Sequence, residues 1–260
     1  MKAIAGIFVL SVALSAQTSS KGKQVVEKAV EALGGHNFLT MRNRVDTGRA
    51  YSFYRDRLSG LDIATVYTEY LDSKPPKNGV AVREREAYGK KQESSFLFLP
   101  DQGFQLTFRG ARPVPDETWN RYLRSTLTNV FYLLRERWND PRMFYDFVRE
   151  DVLISTHVNI VDITDPEQRT VRVYFDYNTN LPIRQEYSEW DPVGQQRSTE
   201  RTEYSKYRDA GGVQLPFVTE RFRNEEKIFQ LFSDNVQVNQ TIPPGTFKLP
   251  PGVKMLKKVD

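Results

Sequence analysis

Residues 103–110 read GFQLTFRG, and apolar and polar side chains alternate along this stretch. Phe104, Leu106 and Phe108 would lie on one side of an extended chain, and the side chains between them on the other. This period of two predicts a β-strand with one apolar face and one solvated face. The fold and the function both depend on whether the apolar face contacts only the protein's own core or also a hydrophobic ligand.

The same period recurs over most of the chain, in segments separated by Gly, Pro, Asp or Lys. Before residue 103 these segments are DTGRAYSFYR (46–55), DIATVYTEYL (62–71), GVAVREREAYG (79–89) and QESSFLFLP (92–100). After it they are VLISTHVNIVDIT (152–164), TVRVYFDYNTNLPIRQEYSEW (170–190), STERTEYSKYRDAGGVQLPFVTERFR (198–223) and KIFQLFSDNVQV (227–238). Hairpin-type turns such as YNTN and DAGG connect them. The sequence therefore predicts a mainly β protein with an antiparallel meander.

Two helices interrupt this pattern. The segment 21–33 has apolar residues at helical spacing and is stopped by two glycines. A long second helix is expected from about Glu117 to Arg137, after a Pro-Val-Pro stop. Its apolar stripe consists of Trp119, Leu123, Leu127, Val130, Phe131, Leu134 and Trp138. Two interpretations stay open: the stripe packs on the sheet, or the helix is a lid over an apolar cavity.

The N-terminus has the layout of a secretory signal peptide. Lys2 precedes an uncharged apolar run, and small residues follow. We expect residues 1–16 to be the signal peptide and residues 17–260 to form a single domain. The chain has no cysteine, which excludes disulfides, cysteine zinc sites and lipid attachment at a signal-peptide cysteine. A soluble exported protein of the periplasm fits these features best.

Charge and motifs argue against several classes of function. The net charge is +4, with opposite charges interspersed, so no basic patch for nucleic acid is predicted. The only two histidines, His36 and His157, are isolated in sequence, which makes a metal site unfavourable. The chain has no Gly-x-Ser-x-Gly elbow and no glycine-rich phosphate loop. We therefore expect a protein that is not an enzyme, with no catalytic residues, metal site or cofactor.

The last third of the chain carries a recognisable order of motifs. A Tyr-x-x-Tyr run leads into Gly-x-x-Leu-Pro-Phe, and a Phe-x-x-Pro-x-Gly-Val segment closes the chain. The residues concerned are Tyr204, Tyr207, Gly212, Leu215, Pro216 and Phe217, then Phe247, Pro250 or Pro251, Gly252 and Val253. In this order they resemble the outer-membrane lipoprotein-sorting (LolA-like) superfamily, as a divergent member.

The resemblance implies a fold and a site. The fold is a curved antiparallel sheet forming an unclosed half-barrel, with an N-terminal helix and a long inserted helix covering its concave face. The site is an apolar cavity between the sheet and the inserted helix. The residues expected to line it and to bind ligand are Phe104, Leu106, Phe108, Leu127, Phe131 and Leu134.

The resemblance also implies partners. A carrier or chaperone of this kind would bind the acyl chains of lipids or lipoproteins, for transport to the outer membrane or for its maintenance, and could meet membrane-associated donor or acceptor proteins. The alternative is a non-catalytic sensing or scaffolding module that binds a protein or lipid signal. Carriers of the superfamily end an early strand with Arg-Pro, whereas this chain has Lys74-Pro75, and lysine lacks the planar donor fork of arginine.

Overall fold

Thirteen antiparallel strands form one continuous sheet in the computed structural model. The structure describes residues 5–72, 74–75, 79–191 and 194–259, with side chains from residue 19 onward. The strands are β1 (Asn43–Tyr54), β2 (Arg57–Tyr70), β3 (Val82–Tyr88), β4 (Ser94–Phe98), β5 (Gly103–Thr107), β6 (Gly110–Pro113), β7 (Phe144–Leu153), β8 (Thr156–Thr164), β9 (Thr170–Asp176), β10 (Pro182–Asp191), β11 (Gln196–Asp209), β12 (Gln214–Arg223) and β13 (Glu226–Val238).

The strand order is that of two meanders joined at the centre. It runs β6-β5-β4-β3-β2-β1-β13-β12-β11-β10-β9-β8-β7, so that the first and last strands of the chain pair with each other. Strands β6 and β7 lie at the two edges and do not pair with each other, which leaves the sheet unclosed. The predicted fold class, a half-barrel of antiparallel strands with helices, is confirmed.

The helices contribute less of the described chain than the strands do. They are α1 (Ala5–Ala32), α2 (His36–Leu39), α3 (Asp116–Leu127) and α4 (Val130–Tyr132), the last of which continues into a π-helical turn at Leu133–Arg137. No helix in the described ranges is long and apolar enough to cross a membrane. Residues 1–4 and the side chains up to residue 18 lie outside the description, so the signal peptide at residues 1–16 stays a prediction.

The sequence pattern had suggested one continuous inserted helix. In the structure this helix is broken at Asn129. This residue has an extended backbone, and its side-chain oxygen accepts hydrogen bonds from the backbone N–H groups of Phe131 and Tyr132. Asparagine is a strong N-cap because its side chain satisfies N–H groups that a new helix leaves free. This cap begins α4 as a helical segment separate from α3.

Two strands, β6 and β7, were not expected from the sequence. The stretch 152–164 was interpreted as one strand, yet Ile154 and Ser155 form a two-residue turn with φ of 43° and 65°. This turn joins β7 to β8. Tight hairpin turns of this kind usually carry Asn or Gly, so the Ile-Ser pair gave no turn signal.

The main core lies between α1 and one end of the concave face. Val26 of α1, Leu33 just after the end of α1, and Phe175 of β9 are fully buried in this core, and α1 itself packs on β7 and β8. Gly22 permits this close approach, because a Cβ atom there would lie 2.2 Å from the carbonyl oxygen of Tyr145. The N-terminal helix therefore covers the concave face at the β7 end, as predicted, and leaves the β1–β4 side to α3.

The convex face of β4 to β6 is covered by the chain's own C-terminal segment, residues 240–256. Leu97, Leu106, Ala111 and Phe247 form a buried apolar cluster there. The segment is held at the sheet edge by a parallel bridge between Ala111 and Met255. Two backbone hydrogen bonds form this bridge: Ala111 N–H donates to Lys254 O, and Leu256 N–H donates to Ala111 O. We call this group the convex cluster.

Candidate ligand-binding cavity

A cavity of about 380 Å³ lies between α3 and the concave face of the central strands. Side chains from β1, β2, β3, β4, β10, β11, β12 and β13 meet α3 and α4 around it. The residues on which the argument rests are Arg44, Asp46, Glu84, Glu86, Phe96, Phe98, Tyr122, Phe131, Gln185, Tyr204 and Arg221.

Aromatic rings build the apolar wall. Phe98 of β4 stacks on Tyr122 of α3 with 3.8 Å between ring centroids, and Phe96 lies beside Phe98 at 6.1 Å. Phe131 meets Tyr204 edge to face at 5.0 Å. Such ring pairs contribute about 0.5–1.5 kcal/mol beyond their buried area, so this wall also helps to hold α3 on the sheet.

The opposite part of the lining is charged. Arg44 donates two hydrogen bonds of 2.6 Å to the two carboxylate oxygens of Asp46, a neighbour on the same face of β1. Burial lowers the pKa of Arg44, but the charge of Asp46 and its hydrogen bonds outweigh this and leave the pKa raised. Ser233 donates a further hydrogen bond to Asp46. A satisfied ion pair of this kind fixes the floor of the cavity.

Two further carboxylates face the cavity from β3. Glu84 accepts a hydrogen bond from the Thr68 hydroxyl at 3.0 Å, and Glu86 accepts one from the Tyr88 hydroxyl at 2.9 Å. Burial, and then the charge of Glu86, raise the pKa of Glu84 to about 8. Alternation of glutamate with arginine in the RERE segment, residues 83–86, is typical of a solvated strand face. The structure instead divides the RERE segment, with the glutamates in the cavity and the arginines on the convex face.

The charged groups around Glu84 come from several elements. Arg221 of β12 lowers its pKa and Asp46 of β1 raises it, both less than burial does. From α3, the buried Tyr122 feels the charge of both glutamates: burial and then Glu84 raise its pKa well above the usual value. The two arginines that alternate with these glutamates point away, Arg83 to the Phe247 ring and Arg85 to the backbone oxygen of Thr246.

The break between α3 and α4 is anchored to the sheet by a buried glutamine. Gln185 of β10 accepts hydrogen bonds from Val130 N at 2.8 Å and from the Tyr204 hydroxyl at 2.7 Å, and it donates one to Thr128 O at 3.0 Å. The backbone groups at the end of α3 and the start of α4 would otherwise be buried without partners. Gln185 therefore fixes the position at which the two helical segments meet.

A second anchor lies on the far side of the cavity. The guanidinium of Arg135 donates to the backbone oxygen of Met41 at 2.6 Å and lies over the ring of Tyr70 at 4.2 Å. Burial raises the pKa of Tyr70 to about 12, so its ring stays neutral beside this cation at ordinary pH. Lys74, where carriers of the superfamily have arginine, is exposed. Arg135, in the π-helical turn after α4, therefore anchors the helical cover (α3, α4 and this turn) through an arginine that lies on the cover itself.

α3 itself is held at its outer edge by ion pairs. Arg124 lies 2.9 Å from Glu189 of β10 and 3.3 Å from Glu200 of β11, and Arg223 also pairs with Glu200 at 3.0 Å. These pairs are partly exposed, so each contributes little to stability. The cover is therefore fixed strongly at the Asn129 break and weakly along α3.

The six residues predicted to bind ligand are divided by the structure. Phe131 lines the cavity, whereas Leu127 packs beside it and Leu134 is buried in the main core. Phe104 and Leu106 were expected to face the inserted helix, but they lie on the convex side. Phe108 lies in the β5–β6 turn and is 87% exposed. The orientation of β5 follows from its pairing: Phe104 lies opposite Leu97, whose side chain is convex.

Most of the lining was not identified from the sequence. The aromatic residues of β4 lay in a strand that was recognised, but a period of two does not say which face is concave. Glu84 and Glu86 were not recognised as lining residues because they alternate with Arg83 and Arg85, as on a solvated strand face. In the described part of the chain, no group of three or more His, Asp or Glu side chains is placed to hold a metal ion. His157 instead stacks on Tyr177 and lies 3.5 Å from Glu150.

Comparison with known proteins places the fold. No family model matches the chain, and no curated protein matches its sequence. A DUF1329 family protein from Desulfovibrio piger superposes with a TM-score of 0.61 at 11% identity, covering 89% of this chain and 97% of that one. A domain from Vibrio parahaemolyticus, named for outer membrane lipoprotein sorting, gives 0.56 at 8% identity, covering 88% and 97%. A LolA superfamily protein from Nitrosomonas europaea gives 0.51 at 11% identity, covering 87% and 97%.

These three structures share the fold over most of this chain and very little of its sequence. At such identities the likeness concerns the fold. The resemblance inferred from the Tyr-x-x-Tyr, Leu-Pro-Phe and closing Phe-x-x-Pro motifs is thereby confirmed at that level. The chain is a divergent protein of the LolA-like fold.

Proposed function

We propose that this chain is a non-catalytic carrier or chaperone that binds an acyl chain of a lipid or lipoprotein in its concave cavity. The observation that carries the proposal is the aromatic-walled space beneath α3, at the place where a LolA-like half-barrel leaves room between sheet and helix. The fold shared with a domain named for lipoprotein sorting supports it. We further propose that the protein acts in the periplasm after export, and that membrane-associated proteins deliver or receive its ligand.

The size of the cavity limits the ligand. Pockets for small ligands usually enclose about 300–1,000 Å³, and this cavity of about 380 Å³ lies near the lower end. It therefore suits one chain, or part of one, rather than the several chains of a fully acylated lipoprotein. Each buried methylene contributes about 0.8 kcal/mol, so about eight of them would contribute about 6 kcal/mol before the costs of ordering.

Entry of a chain requires the cover to move, and the anchors suggest which part moves. The buried hydrogen bonds of Gln185 hold the Asn129 break, whereas α3 is held mainly by the half-exposed pairs of Arg124 and by the ring contact of Tyr122 with Phe98. We propose that α3 lifts while α4 and the π-helical turn stay in place. Of the six residues predicted from the sequence, Phe131 is retained as a ligand contact in this proposal.

The direct test is to extract the natively exported protein with organic solvent and to identify acyl species by mass spectrometry. Purified wild type should also bind a fluorescent fatty-acid probe, which Phe131→Ala should weaken. A protein that carries no acyl species and binds no such probe would contradict the carrier role and leave the sensing or scaffolding module as the better description.

A further inference from the structure

Two carboxylates face the cavity without a cationic partner. In the described ranges neither Glu84 nor Glu86 forms an ion pair, and each accepts only the hydroxyl hydrogen bond noted above. They are two residues apart on β3, so they project from the same face. Acidic side chains this close to one another and to aromatic rings are unfavourable unless protons or a bound cation compensate their charge.

The Tyr122 hydroxyl points to the same place. Tyr122 is only 9% exposed, and its ring is fixed by the stack on Phe98. Within the described part of the chain, its hydroxyl has no hydrogen-bond partner, although the Thr126 side chain, one turn along α3, lies near enough to affect its pKa. Tyr122 lines the same cavity as Glu84 and Glu86, and the charges of both glutamates contribute to its raised pKa. A buried hydroxyl left without a partner is costly, and a ligand group that bonds to it would remove that cost.

The three oxygen-bearing groups share one chemical preference. A protonated primary amine has several N–H donors and a positive charge, which suits two carboxylates and a phenol oxygen. The neighbouring faces of Phe96 and Phe98 also attract cations. A carboxylate or phosphate group at this position would bring further negative charge next to two acidic side chains and has no N–H group to donate to them. Arg221, across the cavity on β12, forms no ion pair within the described residues and lowers the pKa of Glu84 only in part.

We propose that Glu84, Glu86 and Tyr122 form a subsite for the ammonium group of an amphipathic primary amine. The apolar chain of the same molecule would lie along Phe96, Phe98 and Phe131. This inference rests on the proposed function, because it assumes that the cavity accepts an apolar chain, and it adds the chemistry of the head group.

Proton linkage gives the subsite a characteristic signature. A carboxyl group that holds its proton at neutral pH must release it when an ammonium ion takes its place. The affinity for the amine should therefore increase as the pH rises from about 6 to about 8, the pH at which Glu84 ionises. The affinity for an uncharged ligand of the same length should not follow this curve.

The test compares decylammonium, decanol and decanoate as competitors of a fluorescent acyl probe, below the concentrations at which they form micelles. Wild type should bind decylammonium about tenfold or more tightly than decanol, because charge-assisted hydrogen bonds are about twice as strong as neutral ones. Calorimetry in buffers of different ionisation enthalpy should show proton release for decylammonium only.

Three variants separate the subsite from general effects. The double variant Glu84→Gln/Glu86→Gln should lose the preference for the amine and the proton release while it still binds decanol. Tyr122→Phe should reduce the preference several-fold without loss of folding, because among the described residues its hydroxyl has no hydrogen-bond partner to lose. Glu225→Gln/Glu226→Gln changes two exposed residues, one in the β12–β13 turn and one at the start of β13, removes the same charge and should behave as wild type.

The outcomes distinguish the two proposals. Equal binding of decylammonium and decanol, or tighter binding of decanoate, would overturn the ammonium subsite and leave the acyl carrier intact. If none of the three competitors binds, both proposals are contradicted. If the double variant keeps the amine preference, the subsite lies elsewhere and the assignment to Glu84 and Glu86 is wrong.

Discussion

Leu97 and Phe98 are neighbours on β4, yet they belong to opposite sides of the sheet and to different kinds of environment. Leu97 is fully buried in the convex cluster, where the C-terminal segment fills the surface. Phe98 lies on the concave side, at a cavity that also contains carboxylates. The difference teaches that an apolar strand face has two uses in this fold. One face is sealed by the chain itself, and the other borders a cavity of about 380 Å³.

The largest effect should come from the sealed side. Leu97→Ala should lower the free energy of unfolding by about 2–5 kcal/mol, because the removed atoms leave a void in a filled cluster. Phe98→Ala should cost less than the roughly 3–5 kcal/mol usual for a phenylalanine in a filled core, since one side of the ring faces the cavity. Urea denaturation of both variants measures this. A larger loss for Phe98→Ala than for Leu97→Ala would contradict the contrast between the two faces.

A somewhat smaller loss is expected at the anchor of the cover. Gln185→Leu should destabilise the protein by about 2–3 kcal/mol, because Val130 N–H, Thr128 C=O and the Tyr204 hydroxyl lose their buried partner. Gln237→Leu, on the exposed side of β13, is the matched control and should change stability little. Thermal unfolding followed by circular dichroism compares them; equal behaviour of the two variants would show that Gln185 does not hold the break between α3 and α4.

The charged side of the cavity should make stability depend on pH. Glu84 has a folded-state pKa raised to about 8, whereas an unfolded glutamate has about 4.3. Between these values the unfolded chain ionises while the folded chain keeps its proton, so the free energy of unfolding should decrease as pH rises and level off above about pH 8.

The size of that effect can be checked with one variant. We expect a change of about 1–2 kcal/mol across this range, after allowance for the water that a half-buried carboxyl retains. Glu84→Gln should remove the decrease and be more stable than wild type near pH 8. If the wild type gains stability over the same range, the carboxyl is ionised in the folded protein and the sign is the opposite of ours.

The smallest effect concerns a residue that the sequence placed in the site. Phe108→Ala should change stability by less than about 0.5 kcal/mol and leave probe binding intact, because the ring is 87% exposed in the β5–β6 turn. Chemical denaturation and a binding titration suffice. A marked loss of probe binding would return Phe108 to the ligand site.

Much of the fold could be predicted from local chemistry. Alternation identified most strands, glycines marked the end of α1, and the order of motifs around Pro216 and Phe247 indicated the superfamily. The break at Asn129 was present in the sequence as a capping residue, but the apolar stripe continues through it and concealed it. The turn at Ile154 and Ser155 was not predictable, since these residues adopt positive φ only because the paired strands require it.

The site was harder to predict because a period of two defines two faces without saying which is concave. Phe104 and Leu106 were correctly expected on one face, but the C-terminal segment that covers them is distant in sequence. Glu84 and Glu86 show the converse. Alternation with Arg83 and Arg85 is typical of a solvated strand, and only the position of α3 turns one side of that strand into a cavity wall.

The central claim is that the concave side binds an acyl chain and the convex side does not. Its most direct measurement is the equilibrium affinity of wild type, Leu97→Ala and Phe98→Ala for one fluorescent fatty-acid probe, under conditions in which all three are folded. We predict that Leu97→Ala binds as wild type does, whereas Phe98→Ala binds about tenfold more weakly, since it loses the ring that the chain would contact. Equal weakening in both variants, or no binding by wild type, would contradict the claim.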